Sequence, residues 1–271
     1  EVKFSYDHGF EWQVRKPKFV NSHTYANAIN EALNNDGLQP RYSQDELNAF
    51  QSGKYPFLYP NVDWMGETFR DIGSTNIYNI SFQGGAEKFR YYALGNLVTN
   101  KGFIGSPYEN DGYSTQDQYS KANLRMNLDI DLTKNTKLKV NVLGMLLETR
   151  SPGQLDTNFE GDKDTNLWKD MIYVLPSAAY PVRLEDGTWG GNATWKGTLN
   201  PVAMSQGAAY SKQHERTLFT DMTLIQDLSS ITPGLGASAM LAYDNTALFR
   251  ENHSKEYIYG SDIVTSWENG V

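Results

Sequence analysis

Lys121-Ala122-Asn123-Leu124-Arg125-Met126-Asn127-Leu128-Asp129-Ile130-Asp131-Leu132 decides the fold class. Ala122, Leu124, Met126, Leu128, Ile130 and Leu132 alternate without a break with Lys121, Asn123, Arg125, Asn127, Asp129 and Asp131. Strand side chains point to opposite faces with a period of two, so one face is wholly apolar and the other wholly polar. At helical spacing the same residues would scatter around the axis.

The pattern recurs on both sides. Val2, Phe4, Tyr6, Phe10 and Trp12 share one face of an opening strand, with His8 the exception. Further strands are predicted at Ile77–Gly84, Phe89–Val98, Lys137–Glu148, Arg216–Asp227 and Leu235–Tyr243, with a weaker last one near Glu256–Val264. Several reach a dozen residues, roughly 40 Å at ~3.3 Å per residue, against an average of ~5–6 residues in soluble proteins. The connections alternate in length. Residues 85–88, 133–137 and 228–234 are tight turns, whereas 13–76, 99–118 and 149–212 are long. Short turns on one side and long loops on the other are the pattern of outer-membrane β-barrels.

The long connections carry structure of their own. Tyr25, Ile29 and Leu33 are spaced for a helix over Asn21–Asn34, ending at Asn35-Asp36-Gly37. Ser43-Gln44-Asp45-Glu46 is a capping box that opens a second helix, ending near Ser52-Gly53. Leu167, Met171 and Ile172 mark a third over Asp164–Leu175. Loops of this length are usually functional.

Composition narrows the function. The 271 residues contain no Cys, which excludes disulfide scaffolds, thiolate metal sites and thiol nucleophiles. A net charge of −8 excludes a phosphate-neutralising nucleic-acid binder, so nucleic acid is not an expected partner. No apolar run approaches the ~18 residues of a membrane-spanning helix. A membrane barrel passes all these exclusions. Hydrophobic residues are only 39%, and 23 Asn supply much of the uncharged polarity.

No catalytic constellation is visible. His8, His23, His214 and His253 are scattered singly, and no H-E-x-x-H, G-x-S-x-G or P-loop occurs. No enzyme activity and no cofactor are expected. Asp156, Asn158, Glu160, Gly161, Asp162 and Asp164 match the first nine positions of a calcium-binding loop. Leu167 stands where the bidentate Glu belongs, which favours a solvated acidic tip and no metal. Asn79, Asn192 and Asn252 open Asn-x-Ser/Thr triplets, a number expected by chance among so many Asn. Asp186-Gly187-Thr188-Trp189 reads as a hairpin tip. The substrate-binding candidates are loop aromatics suited to stacking on sugar rings: Trp64, Tyr108, Tyr113, Trp189, Trp195 and Tyr210. Loop packing, or an aromatic girdle at the membrane interface, is the competing role for each.

Several motifs together resemble one family. Tyr25-Ala26-Asn27-Ala28-Ile29-Asn30-Glu31-Ala32, Asp36-Gly37 and Tyr59-Pro60-Asn61-Val62-Asp63-Trp64 occur in order. Asn79 through Tyr92, Gly102-Phe103-Ile104, Asn123 through Leu132, Pro181 through Gly187 and Asn200-Pro201-Val202-Ala203 follow. In this the chain resembles SusC/RagA-like TonB-dependent transporters over nearly its whole length. The resemblance implies an all-β fold, part of a 22-stranded antiparallel transmembrane barrel in the bacterial outer membrane, with long helix-containing extracellular loops. It implies nutrient uptake: import of oligosaccharides or peptides, powered by TonB, with a SusD-like surface lipoprotein as partner and outer-membrane lipid around the wall. Residues 1–271 would then form about the first seven or eight barrel strands. The family's plug domain, TonB box and closing C-terminal strands have no counterpart among the motifs. A soluble β-rich carbohydrate-binding module and a passive porin or adhesin piece are the alternatives.

Overall fold

The computed structural model describes residues 1–107, 109–110, 113–153 and 175–262. Its main body is a single seven-stranded antiparallel sheet. The strands are β1 (Val2–Trp12), β2 (Ile72–Ala86), β3 (Phe89–Lys101), β6 (Gln118–Asp131), β7 (Thr136–Pro152), β9 (Ala209–Asp227) and β10 (Gly236–Ser254), each paired with the next. Two short hairpin strands, β4 (Glu109–Asn110) and β5 (Tyr113–Ser114), lie in the loop between β3 and β6. Turns at 87–88, 132–135 and 228–235 close one end; the segments 13–71, 102–117 and 153–208 emerge at the other. The predicted sidedness is therefore the observed one.

The register keeps one face continuous. Phe82, Ala93, Met126, Val142, Thr220 and Tyr243 stand opposite one another in a single row across six strands. Tyr91, Leu128, Val140, Met222 and Leu241 form a neighbouring row. Phe4, Leu124 and Leu241 on this face remain 67%, 53% and 70% exposed. No second sheet covers either face among the described residues. A water-soluble sandwich buries one face of each sheet against another, and here the apolar face stays open among the described residues.

The opposite face is polar and cross-linked by side chains. The Asn79 amide donates to the Ser5 hydroxyl (3.1 Å), Asn96 to Asn79 (2.7 Å), and Asn123 to Asn96 (2.9 Å). One chain of amides thus spans four strands. Higher up, the Asn100 amide donates to both Glu11 and Thr75 at 2.8 Å. His8 lies on the apolar side, where its ring bonds Asn76 at 2.7 Å in a row of polar residues.

Two expectations need correction. The strand predicted near Glu256–Val264 does not join the sheet. Among the described residues only Tyr259–Gly260 is extended there (β11), and it pairs in parallel with β8 (Trp189–Gly190) in a loop. The reason is that β10 continues to Ser254 and the chain then enters the loop core, where Tyr257 meets Trp189 edge-on and the Gly191 N–H donates to the Gly260 carbonyl. Likewise β9 begins at Ala209 and not at Arg216. The loop enters it through Ala209 at φ +63°, a left-handed conformation that few non-glycine residues adopt. Beside it Gly153 is obligatory, since a Cβ there would sit 1.8 Å from the Ala208 carbonyl oxygen. The helix predicted over Asp164–Leu175 and the calcium-like stretch 156–164 lie outside the described residues, apart from Leu175 itself.

Candidate functional site

The long segments fold together over the loop end of the sheet, beginning with two capped helices. In α1 (Ser22–Asn35) the Asn21 side chain accepts the Thr24 N–H at 2.8 Å. In α2 (Gln44–Ser52) Ser43 and Glu46 form the predicted capping box, and Gly53 ends the helix in the left-handed conformation. The Asn30 amide joins the two helices. It donates to the Tyr42 carbonyl (2.7 Å) and accepts the Tyr42 N–H (2.9 Å), as a neighbouring strand would. Ala26, Leu47, Ala49, Phe50, Tyr59 and Ala178 pack into one small core, with Phe50 edge-on to Tyr42 and Tyr59.

A second core fastens the first long loop to the third. The short helix α3 (Trp64–Thr68) starts at Asp63, whose carboxylate accepts the Gly66 N–H. Trp64 is 2% exposed, donates its indole N–H to the Pro176 carbonyl at 3.1 Å, and meets Tyr180 edge-on at 5.5 Å. Met65, Phe69, Ile104, Leu175, Trp189, Val202 and Ala203 complete this core. The Val62 N–H donates to the Ser177 carbonyl and the Ser177 hydroxyl to the Val20 carbonyl. Buried amides do the rest. Asn200 caps α4 (Pro201–Gly207) through the Ala203 N–H and donates to the Val182 carbonyl. Asn192 donates to Ala179, and Gln116 grips both backbone groups of Ile104. Asn192 and Asn200 stand in the sequence motifs named above, but no clamp was assigned to them or to Gln116, because a buried amide and an exposed one look alike in sequence.

The proposed stacking residues separate into distinct environments. Trp64 and Trp189 are core residues, and the Arg183 guanidinium lies 3.4 Å above the Trp189 ring. Trp195 is partly buried and stacks on Arg41, which also faces Tyr42, so this cation joins the two loops. Tyr113 and Tyr210 are brought together at 4.9 Å, with His253 stacked on Tyr210 at 4.7 Å. Tyr210 shares the alternation of Leu218 and Met222, hence the outward side of the wall. Tyr108 lies outside the described residues. The hairpin tip at Asp186-Gly187 forms as expected, with Gly187 at φ +86°.

A groove that no local motif marks lies on the inward polar face. Arg125, Asn127, Asn141, Leu143, Phe219 and Asp221 line about 560 Å³ there, and the Asn141 amide donates to Asp221 at 2.9 Å. Charged, amide and aromatic groups stand together in it. Among the described residues no group of three or more His, Asp or Glu is placed to hold a metal.

Burial holds the Tyr59 hydroxyl up at about 12, and the nearby Glu46 charge adds to it. Burial also raises Tyr180 and Tyr257, each of which is a hydrogen-bond donor to a loop carbonyl. A phenol whose folded value lies above the unfolded ~10 stabilises the fold fully below pH 10, and that contribution is lost as the pH rises toward 12. Spectrophotometric titration should therefore show a late-ionising subset of the 17 Tyr, titrating together with loss of near-ultraviolet circular dichroism. Uniform ionisation near pH 10 with an unchanged spectrum would contradict this burial.

No family model matches the chain, and no curated protein matches its sequence. Solved structures do match in fold. A chain of the RagAB peptide importer in the "closed-closed" state superposes with a TM-score of 0.58 at 13% identity. The RagAB peptide transporter gives 0.58 at 14%, and the importer in its "open-open" state 0.55 at 14%. In each case 91% of this chain and 28% of the solved chain are covered, so the chain spans less than a third of the length of those it matches. The structural neighbours are transporter chains, and the likeness at this identity is one of fold. The chain is an all-β, antiparallel partial barrel whose long loops, helices included, pack over one end of its wall.

Proposed function

We propose that this chain forms part of the wall and external loops of an outer-membrane importer for peptides or oligosaccharides. In this reading TonB powers uptake and a SusD-like surface lipoprotein covers the loops. The observation that carries it is the sidedness of the sheet: tight turns at one end, and at the other, loops that build their own hydrophobic cores. In bacterial barrels the short turns are periplasmic, which puts the loop cores on the outer surface. The bare apolar face suits lipid, and the inward groove of Arg125, Asn127, Asn141 and Asp221 offers hydrogen bonds to a polar cargo. Of the aromatic candidates, Trp195 and Tyr113 stay partly accessible for substrate or partner contact, whereas Tyr210 lies on the outward side of the wall. The fold likeness to RagAB chains supports transport and a partnered assembly.

A soluble binding module is disfavoured, because both faces of the seven-stranded sheet would stand in water. Fractionation and uptake provide the test. The whole protein that carries this chain should sediment with outer membranes, and cells that express it should accumulate labelled short peptides or oligosaccharides only while TonB is present. Recovery in the soluble fraction, or uptake that survives loss of TonB, would overturn the reading.

A further inference from the structure

We propose that the outward face of the wall, just beyond its apolar band, binds the phosphates of anionic lipid headgroups. The inference rests on the barrel reading above and adds a ligand site to it. Its residues follow the apolar ones in the same alternation on the same face. On β7, Leu146 is followed outward by Glu148 and Arg150; on β9, Leu218 by Arg216, His214 and Lys212; on β3, Leu97 by Thr99 and Lys101. Cross-strand pairing sets Glu148 against His214 and Arg150 against Lys212. The level is that of the headgroups, because the apolar rows end there.

The charges are not balanced at this site. Glu148 is the carboxylate shared by Arg150 (3.8 Å), Lys212 (3.5 Å) and His214 (3.3 Å). Lys101 and Arg216 add further positive charge on the same face, with Glu251 as counterweight. The excess is positive in a chain whose net charge is −8. Arg150 carries the second observation. Its Nε is buried and has no hydrogen-bond partner among the described residues, while its guanidinium is braced over the Tyr210 ring. The Nε itself is closed to any ligand, but the side chain is 20% exposed through its terminal nitrogens, whose planar fork suits phosphate oxygens. Beside it a cleft of about 280 Å³ is lined by Thr99, Lys101, Gln118, Ser120, Glu148 and Arg150, which adds hydroxyl and amide donors to the cations.

A lipid phosphate is favoured over a free anion by continuity. The cleft opens on the face whose next rows, Leu97, Ala122 and Leu146, would contact acyl chains. One ligand with a phosphorylated head and apolar tails spans both surfaces, whereas a free phosphate uses only one.

The experiment compares lipid retention in purified whole protein: wild type, Arg150→Gln, Lys212→Gln, and a Lys139→Gln control on the inward face. Each is reconstituted into phosphatidylcholine vesicles containing lipid A, either bisphosphorylated or dephosphorylated. After detergent exchange the bound lipid is counted by native mass spectrometry. Wild type and Lys139→Gln are expected to retain bisphosphorylated lipid A. Arg150→Gln and Lys212→Gln should retain about tenfold less, and the dephosphorylated lipid should not be held. Retention unchanged in both variants, with the proteins inserted, overturns the lipid site and leaves the barrel reading standing. Displacement of lipid A by millimolar inorganic phosphate identifies a free-anion site and overturns the lipid assignment. Failure of wild type to enter vesicles at all overturns the barrel reading, and the lipid site with it.

Discussion

Replacing Trp64 by alanine should unfold the loop cores while leaving the strand wall in place. The indole fills the centre of the core formed by Met65, Phe69, Ile104, Tyr180 and Trp189, and it is 2% exposed. Truncating a buried Trp costs ~3–5 kcal/mol, from lost transfer energy and the cavity left behind. Here the loss has a further part, since the Pro176 carbonyl would lose the indole donor that ties the first loop to the third. Trp64→Phe keeps most of the ring and isolates that hydrogen bond, so a cost nearer ~1–3 kcal/mol is expected for it. Limited proteolysis reads the result directly. The 13–71 and 175–208 segments should become cleavable in Trp64→Ala, while the heat-dependent gel mobility of the barrel persists. Loops that stay resistant would show that Trp64 is not what holds them together.

An arginine introduced at Met126 should cost about 2–4 kcal/mol in membrane stability, against little for one at Asn127. The two positions are adjacent, and only the pleat separates their environments. Met126 lies midway along the apolar row between Ala93 and Val142; Asn127 faces inward between Tyr92 and Asn141. In hydrocarbon the guanidinium must snorkel or drag water with it, whereas the inward side already accommodates Arg125 and Asp129. Urea titration of the protein folded into lipid vesicles measures both variants on one scale. Equal costs would mean that the two faces do not differ as lipid and lumen do.

The wall was legible because a strand with one apolar and one polar face obeys a period of two. Lys121–Leu132 shows the limit of that rule as well as its strength. The observed strand there is Gln118–Asp131, and it was located to within a few residues. At β9 the period fails: Ser211, Lys212, Gln213, His214 and Glu215 are all polar, yet they continue the strand. Above the apolar band both faces are polar, so backbone pairing persists without any hydrophobic alternation to mark it. The loop cores divide in the same way between local and distant causes. Ser43 with Glu46, and Asn200 with Pro201, are caps written within a few residues, and such signals can be read. The bond from Trp64 to Pro176 joins residues 112 apart, and no local pattern announces it. An aromatic side chain in a Gly- and Asn-rich loop therefore looked accessible when it was core.

The line of amides from Ser5 through Asn79 and Asn96 to Asn123 bears on how such a wall avoids mispairing as it assembles. Sliding a strand by one residue turns its apolar side chains onto the polar face, and alternation alone forbids it. Sliding by two keeps every side chain on its proper side, and alternation is blind to that error. The amides are not. A two-residue slip would set Asn79 against Leu94 or Val98, and Asn96 against Lys121 or Arg125. Each Asn would then lose a cross-strand partner that only the native alignment supplies. The ladder thus acts as a vernier for the first four strands, fine enough to catch the one error that the hydrophobic pattern lets through.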